Sequence, residues 1–542
     1  VTDDASSPRR LRDFAATDKR LLAAGLVVAV VVRIVCWQGL GYLDSLNYAA
    51  ASLRVLDEGV GTGLGFHQVD RLGMTLPPAA FLAVLGRSEA SIVAYFLLLA
   101  LVELAVVPML LARRFAPRTV VVATLLYAFA PMAIRDSTTN SADLAMSVWA
   151  NVAILALLTA PPGRRVGWCA AAGLLLGVAC LHKETAVVLG PVAAAAAFFS
   201  ADDGAPARLK RVAALGVGFA VPLLVEAALF RAWTGDPLFR YRHIEETHGA
   251  SLGVMETAPL AMRYLVYWPS SLIASPQTFG ALIFVLPGAL LVHALDRFRV
   301  CGPLVALWLL FPALYTVFGS STLSAWRPLL PYPRYLHVAL LPGAVLAAQA
   351  LVGDGGLLRT TARRAAVIVA AAAMLVAACA IKFRGVDGVV AGGAALLLVV
   401  AACRSATPRI AMIAAVLCLV PLEMAVERAV GRTSPSWALE RRAVAAVRAA
   451  GFTEIRSASP VSWALQMMSK LGETPGMSIE SAPPDELAST PAHAAVVAWW
   501  STAAPILAVK GADGAPAFEE IASFPAARFP RDGGVRVLVR RR

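Results

Sequence analysis

The sequence predicts an all-α polytopic membrane domain of about thirteen spanning helices, followed by a small soluble α/β domain. Three observations lead there. Apolar side chains make up 58% of the 542 residues and charged ones only 15%, against an apolar share of about 45–50% in soluble domains. These residues gather in runs long enough to cross a hydrocarbon core, which takes roughly 20 residues as helix. Beyond residue 431 the long runs stop and short segments with turn signals replace them. Runs of this length indicate helices and not a barrel.

The net charge of +13 is read loop by loop in a chain of this kind, so no nucleic-acid partner is expected. The seven cysteines fall within or beside apolar runs and form no metal-ligand spacing. Neither a disulfide framework nor a zinc site follows.

Residues 1–19 are polar and basic, and the apolar stretch after them lacks a small-residue cleavage site. We expect a retained signal anchor with a cytoplasmic N-terminal tail. A transmembrane domain over 20–430 follows, with spans near 20–40, 90–112, 117–134, 140–160, 165–182, 184–200, 211–232, 271–295, 302–319, 334–352, 364–381, 386–403 and 408–427. The inner loops are then "ARRFAPR", "PPGRR", "DDGAPARLKR", "DRFRV", "DGGLLRTTARR" and "CRSATPR", each with at least two Lys or Arg, as the positive-inside bias requires. Residues 164–201 form one apolar run broken only by "HKET". A single helix of that length would measure about 57 Å and would hold the charged Lys183 at membrane depth, so two spans meeting at an outer break fit better. The odd number of spans places 431–542 outside the cell. In that tail "SPSWALERRAVAAVRAAG" and "SPVSWALQMMSKLG" read as helices, and "TEIRSAS", "AAVVAWW", "FEEIASFP" and "VRVLVRR" as strands.

Sorted by side, the polar residues collect outside, in loops over 41–89 and 233–270, in "RDSTTNSAD", in "HKET" and in "RPLLPYPRYLH". In "LDSLNYAAASLRVLDEG", Asp44, Asn47, Tyr48 and Ala51 follow i, i+3, i+4, i+7 and share one helical stripe. A helix on the membrane interface has this pattern, and Asp44 as a plain N-cap is the alternative. Asp57 and Glu58 read as solvated surface. Asp143 sits just inside the fourth span, where a lone acid is costly and marks a function or a partner.

Taken in order, these motifs resemble the GT-C class of membrane glycosyltransferases (family 39-like), which includes protein O-mannosyltransferases and the lipid A aminoarabinose transferase. The resemblance rests on Asp44, Tyr48, Ala49 to Ala51 and Gly59, then "DRLGMTLPPAAFLAVLG", "LHKETAVVLGP", "TGDPLFR" and "PRYLHVALLP". It covers about the first 350 residues in one order and on one side. It departs at Ser45, where many relatives carry a second acid. The resemblance implies transfer of a sugar from a polyprenyl-phosphate donor to an envelope acceptor (protein, lipid or glycan), with inversion, on the extracytoplasmic face of the cell membrane.

Such chemistry needs a carboxylate to take the acceptor proton and cations for the departing phosphate. Asp44 fits the first role, and Lys183 and Arg334 the second. Asn47, Tyr48, Asp70, Arg71, Asp143 and Tyr335 complete the expected substrate-binding set. Each cation also has a plainer reading: Lys183 as a snorkelling residue, Arg334 as an aromatic-flanked anchor, and Arg71 as a loop-ordering residue. His243 and His248 lie five apart without a third ligand. No cofactor is required, although a divalent metal is compatible. Two rival functions stand beside this one. A transporter or flippase would show internal repeats and broken midplane helices, and no repeat is evident. A nonenzymatic envelope assembly subunit would not need the ordered acid and cations.

Overall fold

A computed structural model describes residues 11–40, 44–61, 70–199, 204–249, 259–273, 279–298, 302–320, 332–352, 437–459, 461–510, 516–525 and 534–541, with isolated positions at 329 and between 365 and 373. The expected spans near 386–403 and 408–427, and most of 364–381, lie outside the described residues. So do His67 and the side chain of His248.

The helical part runs α1 (Ala16–Val35), α2 (Asp44–Glu58), α3 (Leu72–Leu85), α4 (Glu89–Leu111), α5 (Pro117–Ala128), α6 (Pro131–Ser137), α7 (Ala142–Leu158), α8 (Arg165–His182), α9 (Gly190–Phe199), α10 (Ala205–Thr234), α11 (Phe239–Gly249), α12 (Leu282–Leu295), α13 (Pro303–Phe318) and α14 (His337–Val352). Among the described residues, Glu89–Leu111, Pro162–His182, Ala205–Thr234 and Pro333–Val352 are long and apolar enough to cross a membrane unaided. α5 and α6 are long and apolar enough only when taken together, with a bend of 59° between them, because Pro131 starts a new helix within the span expected near 117–134. The remaining apolar helices are shorter and pack between these. One of them, α3, falls where only an outer loop was expected. Its Pro77 and Pro78 lie inside the helix and remove two hydrogen bonds, while Leu72, Met74 and Leu82 are buried in compensation.

Local signals set several boundaries. The Ser88 hydroxyl accepts from the Ser91 amide at 3.1 Å and caps α4, and Ser141 does the same for α7 at 3.3 Å from Leu144 N. The chain leaves α8 at Lys183, whose extended backbone (φ −157, ψ 123) precedes a 3-10 turn over Glu184–Leu189. The expected break at "HKET" therefore falls at a single extended residue between two helical segments. α8 and α10 pack backbone to backbone: a Cβ on Gly173 would stand 2.1 Å from Leu215 O, and one on Gly218 2.0 Å from Ala170 O. Small residues at this spacing permit such approach in apolar surroundings. Inside the bundle Glu103 accepts from the Tyr127 hydroxyl at 2.5 Å and from Asn151 Nδ2 at 3.3 Å, so this intramembrane acid is hydrogen-bonded as burial demands.

The C-terminal part holds α15 (Ala438–Ala449), β1 (Glu454–Ser457), α16 (Val461–Lys470), β2 (Ser478–Ser481), β3 (Ala494–Trp499), α17 (Trp500–Leu507), β4 (Phe518–Pro525) and β5 (Gly534–Arg540). Its sheet has the order β2-β1-β3-β5-β4, with β1 parallel to β2 and β3, and β5 antiparallel to β3 and β4. Both faces are covered, so β3 reads as a continuous apolar run. Ala495 and Val497 join a core with α15 and α16, while Val496 and Ala498 face α17. The first of these cores continues without a break into Leu40, into Leu46, Ala49 and Leu53 of α2, and into Leu82, Ile92 and Val93. Each fully buried Leu contributes about 1.5–3 kcal/mol.

Candidate active site

The charged residues singled out above meet at one end of the helical bundle. Asp44 opens α2 and is partly exposed. Its Oδ2 accepts from Arg334 Nη2 at 3.3 Å. Arg334 Nε lies 3.9 Å from Asp143 Oδ2, and Asp143 Oδ1 accepts from Lys183 Nζ at 2.5 Å. An alternating chain results, Asp44–Arg334–Asp143–Lys183, drawn from three different helices and one break. Tyr335 lies beside both cations, its ring centroid 4.3 Å from Lys183 Nζ and 5.6 Å from the Arg334 guanidinium carbon, within cation–π reach. Lys183 and Asp143 are almost entirely buried, whereas the Arg334 side chain is 44% exposed.

A second network backs the first. Arg71 donates from Nε and Nη2 to the two oxygens of Glu184 at 3.0 and 2.7 Å, and its Nη1 donates to the Tyr48 hydroxyl. Arg240 reaches Glu184 at 3.0 Å and Glu226 at 2.6 Å. Burial pushes the Tyr48 hydroxyl up to about 12 against the opposing charge of Arg71, so it stays protonated at any physiological pH. With α8 ending at the extended Lys183, three successive residues serve three targets. His182 meets the Tyr95 hydroxyl through Nε2 at 2.7 Å, Lys183 meets Asp143, and Glu184 meets Arg71 and Arg240. A continued helix would have turned each about 100° from the next.

Asn47 lies half-buried on the stripe of Asp44 and Tyr48. Asp70 and Arg71, grouped on sequence with the substrate-binding residues, are buried among protein partners. Asp70 Oδ2 accepts from His243 Nδ1 at 2.5 Å, so His243 faces a carboxylate of another segment. Among the described residues, no three His, Cys, Asp or Glu side chains group in a way that could hold a metal ion. Asp57 and Glu58 are exposed, and Asp57 pairs with Arg87. Sequence reasoning passed over Glu226, a lone acid in the apolar run "VPLLVEAALF" whose cost at membrane depth signals a partner. At a distance from this cluster, a cavity of 220 Å³ is lined by Arg164, Arg165, Lys210 and Arg211 among others. Its lining has no carboxylate and so offers no base.

The helical bundle with its small sheet domain has the GT-C fold. Residues 78–229 match the family described as dolichyl-phosphate-mannose-protein mannosyltransferase. Two crystal structures of ArnT from Cupriavidus metallidurans share the architecture over nearly their whole length. The one bound to undecaprenyl phosphate has a TM-score of 0.61 at 17% identity, covering 97% of this chain and 98% of that one. The one in the apo state has a TM-score of 0.58 at 15% identity, covering 96% and 98%. No curated protein matches the chain in sequence.

Proposed function

We propose that this protein is a membrane glycosyltransferase that takes a sugar from a polyprenyl-phosphate donor and passes it, with inversion, to an acceptor on the extracytoplasmic face. The observation that carries the reading is the alternating chain of Asp44, Arg334, Asp143 and Lys183. It puts a reachable carboxylate 3.3 Å from one cation, with a second cation further along the same chain of ion pairs, in a fold shared with a protein crystallised with undecaprenyl phosphate.

In this reaction the acceptor hydroxyl gives its proton to Asp44 as its oxygen attacks the anomeric carbon. The bond from that carbon to the phosphate oxygen breaks, and its electron pair leaves with the polyprenyl phosphate. A single displacement of this kind inverts the carbon. Arg334, the more exposed cation, meets the departing phosphate with its guanidinium fork. Lys183 adds a point charge from below, held in place by Asp143. Asn47, half-buried, faces the sugar or the acid from the same stripe, and Tyr48, buried with its hydroxyl held by Arg71, backs it.

The test is transfer from a synthetic polyprenyl-phosphate sugar by purified wild type, Asp44→Asn and Asp57→Asn. Asn caps a helix about as well as Asp but takes no proton. Turnover in Asp44→Asn therefore falls by about 10²–10⁴-fold with donor binding retained, and Asp57→Asn stays near wild type. Near-normal turnover in Asp44→Asn refutes the assignment and leaves Asp44 a cap.

A further inference from the structure

The stripe of α2 opposite Asp44 and Tyr48 carries Leu46, Ala49 and Leu53, about 180° away at 100° per residue, and these three are buried in the core shared with the sheet domain. The segment that leads into α2 is pinned at the same place. Leu40 is fully buried, and its amide donates to Glu89 Oε1 at 2.6 Å. Gly39 takes a left-handed φ of 77, and a Cβ there would stand 2.2 Å from that same oxygen; its amide donates to Thr138 O at 2.9 Å. The other oxygen of Glu89 accepts from Arg441 of α15. Arg441 in turn forks onto Glu473, Nε at 2.9 Å and Nη2 at 3.2 Å. One carboxylate at the start of α4 thus holds the backbone feeding the acid-bearing helix with one oxygen and the sheet domain with the other.

We propose that Glu89 and Arg441 are positioning residues through which the sheet domain sets where Asp44 stands, an inference that rests on the glycosyl-transfer reading. Neither touches the Asp44–Arg334–Asp143–Lys183 chain. Their loss moves the base and leaves the phosphate cations where they are. A displacement of about 1 Å in a reacting group costs up to about a hundredfold in rate. Arg441→Ala therefore lowers kcat by about ten- to a hundredfold while donor affinity holds, and Arg441→Lys, which keeps a charge for Glu89, recovers part of the loss.

The experiment uses the full chain in nanodiscs, as wild type, Arg441→Ala and Arg441→Lys. Amide hydrogen exchange over residues 36–53 is followed alongside kcat, KM and donor affinity. Exchange in Arg441→Ala speeds up about ten- to a hundredfold, the equivalent of one lost charge-assisted hydrogen bond, with the lysine variant between. Unchanged exchange overturns the clamp whether or not the protein transfers a sugar. Faster exchange with unchanged kcat in a transferring enzyme, or kcat and donor affinity falling together, overturns the positioning role. Faster exchange in a protein whose wild type transfers no sugar keeps the clamp and refutes the glycosyl-transfer reading alone.

Discussion

Replacing Lys183 by Met tests whether the Lys183–Asp143 pair is a structural strut, a phosphate site or both. The two charges lie 2.5 Å apart with side chains 9% exposed on each side. At an effective dielectric of about 20 their attraction is about 7 kcal/mol, and removing both ions from water costs several kcal/mol each, so the pair adds little net stability. Removing one partner is different, because it strands a buried charge at a cost of about 3–5 kcal/mol. Arg334 Nε at 3.9 Å still faces Asp143, which places Lys183→Met near the lower end, about 3 kcal/mol. The double variant Lys183→Met/Asp143→Asn strands no charge and returns to within about 1 kcal/mol of wild type. Unfolding in mixed micelles titrated with dodecyl sulfate gives the ordering, and donor binding is measured on the same samples. The double variant is expected to be stable and yet weak in donor binding, since the cation is gone. Wild-type stability in Lys183→Met, or a double variant no more stable than Lys183→Met, refutes the buried-pair reasoning. Wild-type donor affinity in the stable double variant removes Lys183 from the phosphate site.

Arg334→Ala weakens donor binding by about ten- to a hundredfold, the loss of one charge-assisted contact, and leaves the unfolding midpoint in place because the side chain is 44% exposed; equilibrium binding of a labelled donor checks the first and dodecyl sulfate unfolding the second. The Tyr48 hydroxyl, raised from 10.0 to about 12, makes the folded state hold its proton longer than the unfolded chain. Stability is therefore intact below pH 10 and falls as pH rises toward 12, by about 3 kcal/mol. Tyr48→Phe lacks that fall, which unfolding midpoints across this pH range would show. Reporter fusions placed after residue 540 read as extracytoplasmic and those in the "PPGRR" loop as cytoplasmic, and the opposite pattern would remove Asp44 from the face where a lipid carrier presents its sugar.

Much of the helical architecture was legible because apolar runs of about 20 residues have one common solution in lipid. The stripe of Asp44, Asn47 and Tyr48 was legible because helical periodicity is a local property. Lys183 and Asp143 stood out because charge in an apolar run needs a reason. What the sequence withheld is pairing at a distance. Nothing near Glu226 names Arg240 as its partner, nothing near Asp70 names His243, and Glu89 meets Arg441 across 352 positions of chain. Three elements went unread. α3 lies where an outer loop was expected and holds Pro77 and Pro78, and α17 holds Pro505, residues that helix interiors disfavour. The four-residue β2, "SIES", carries too few apolar residues to announce a strand, and it forms because β1 offers it a parallel edge.

The contact between α8 and α10 bears on how tolerance to substitution is read across this chain. Gly173, Gly177 and Gly218 would each drive a Cβ to between 2.0 and 2.6 Å of a facing carbonyl oxygen, so any replacement forces two long helices apart. Gly173 lies ten residues before Lys183, about 15 Å along the helix axis, and takes part in no chemistry. A variant library scored for growth would still close these positions as firmly as Asp44 itself. Intolerance in such a map marks two unrelated things here, the seam where backbones touch and the end where charges meet. Only the second kind yields to a chemically conservative exchange, because a seam built on hydrogen atoms has no conservative exchange to offer.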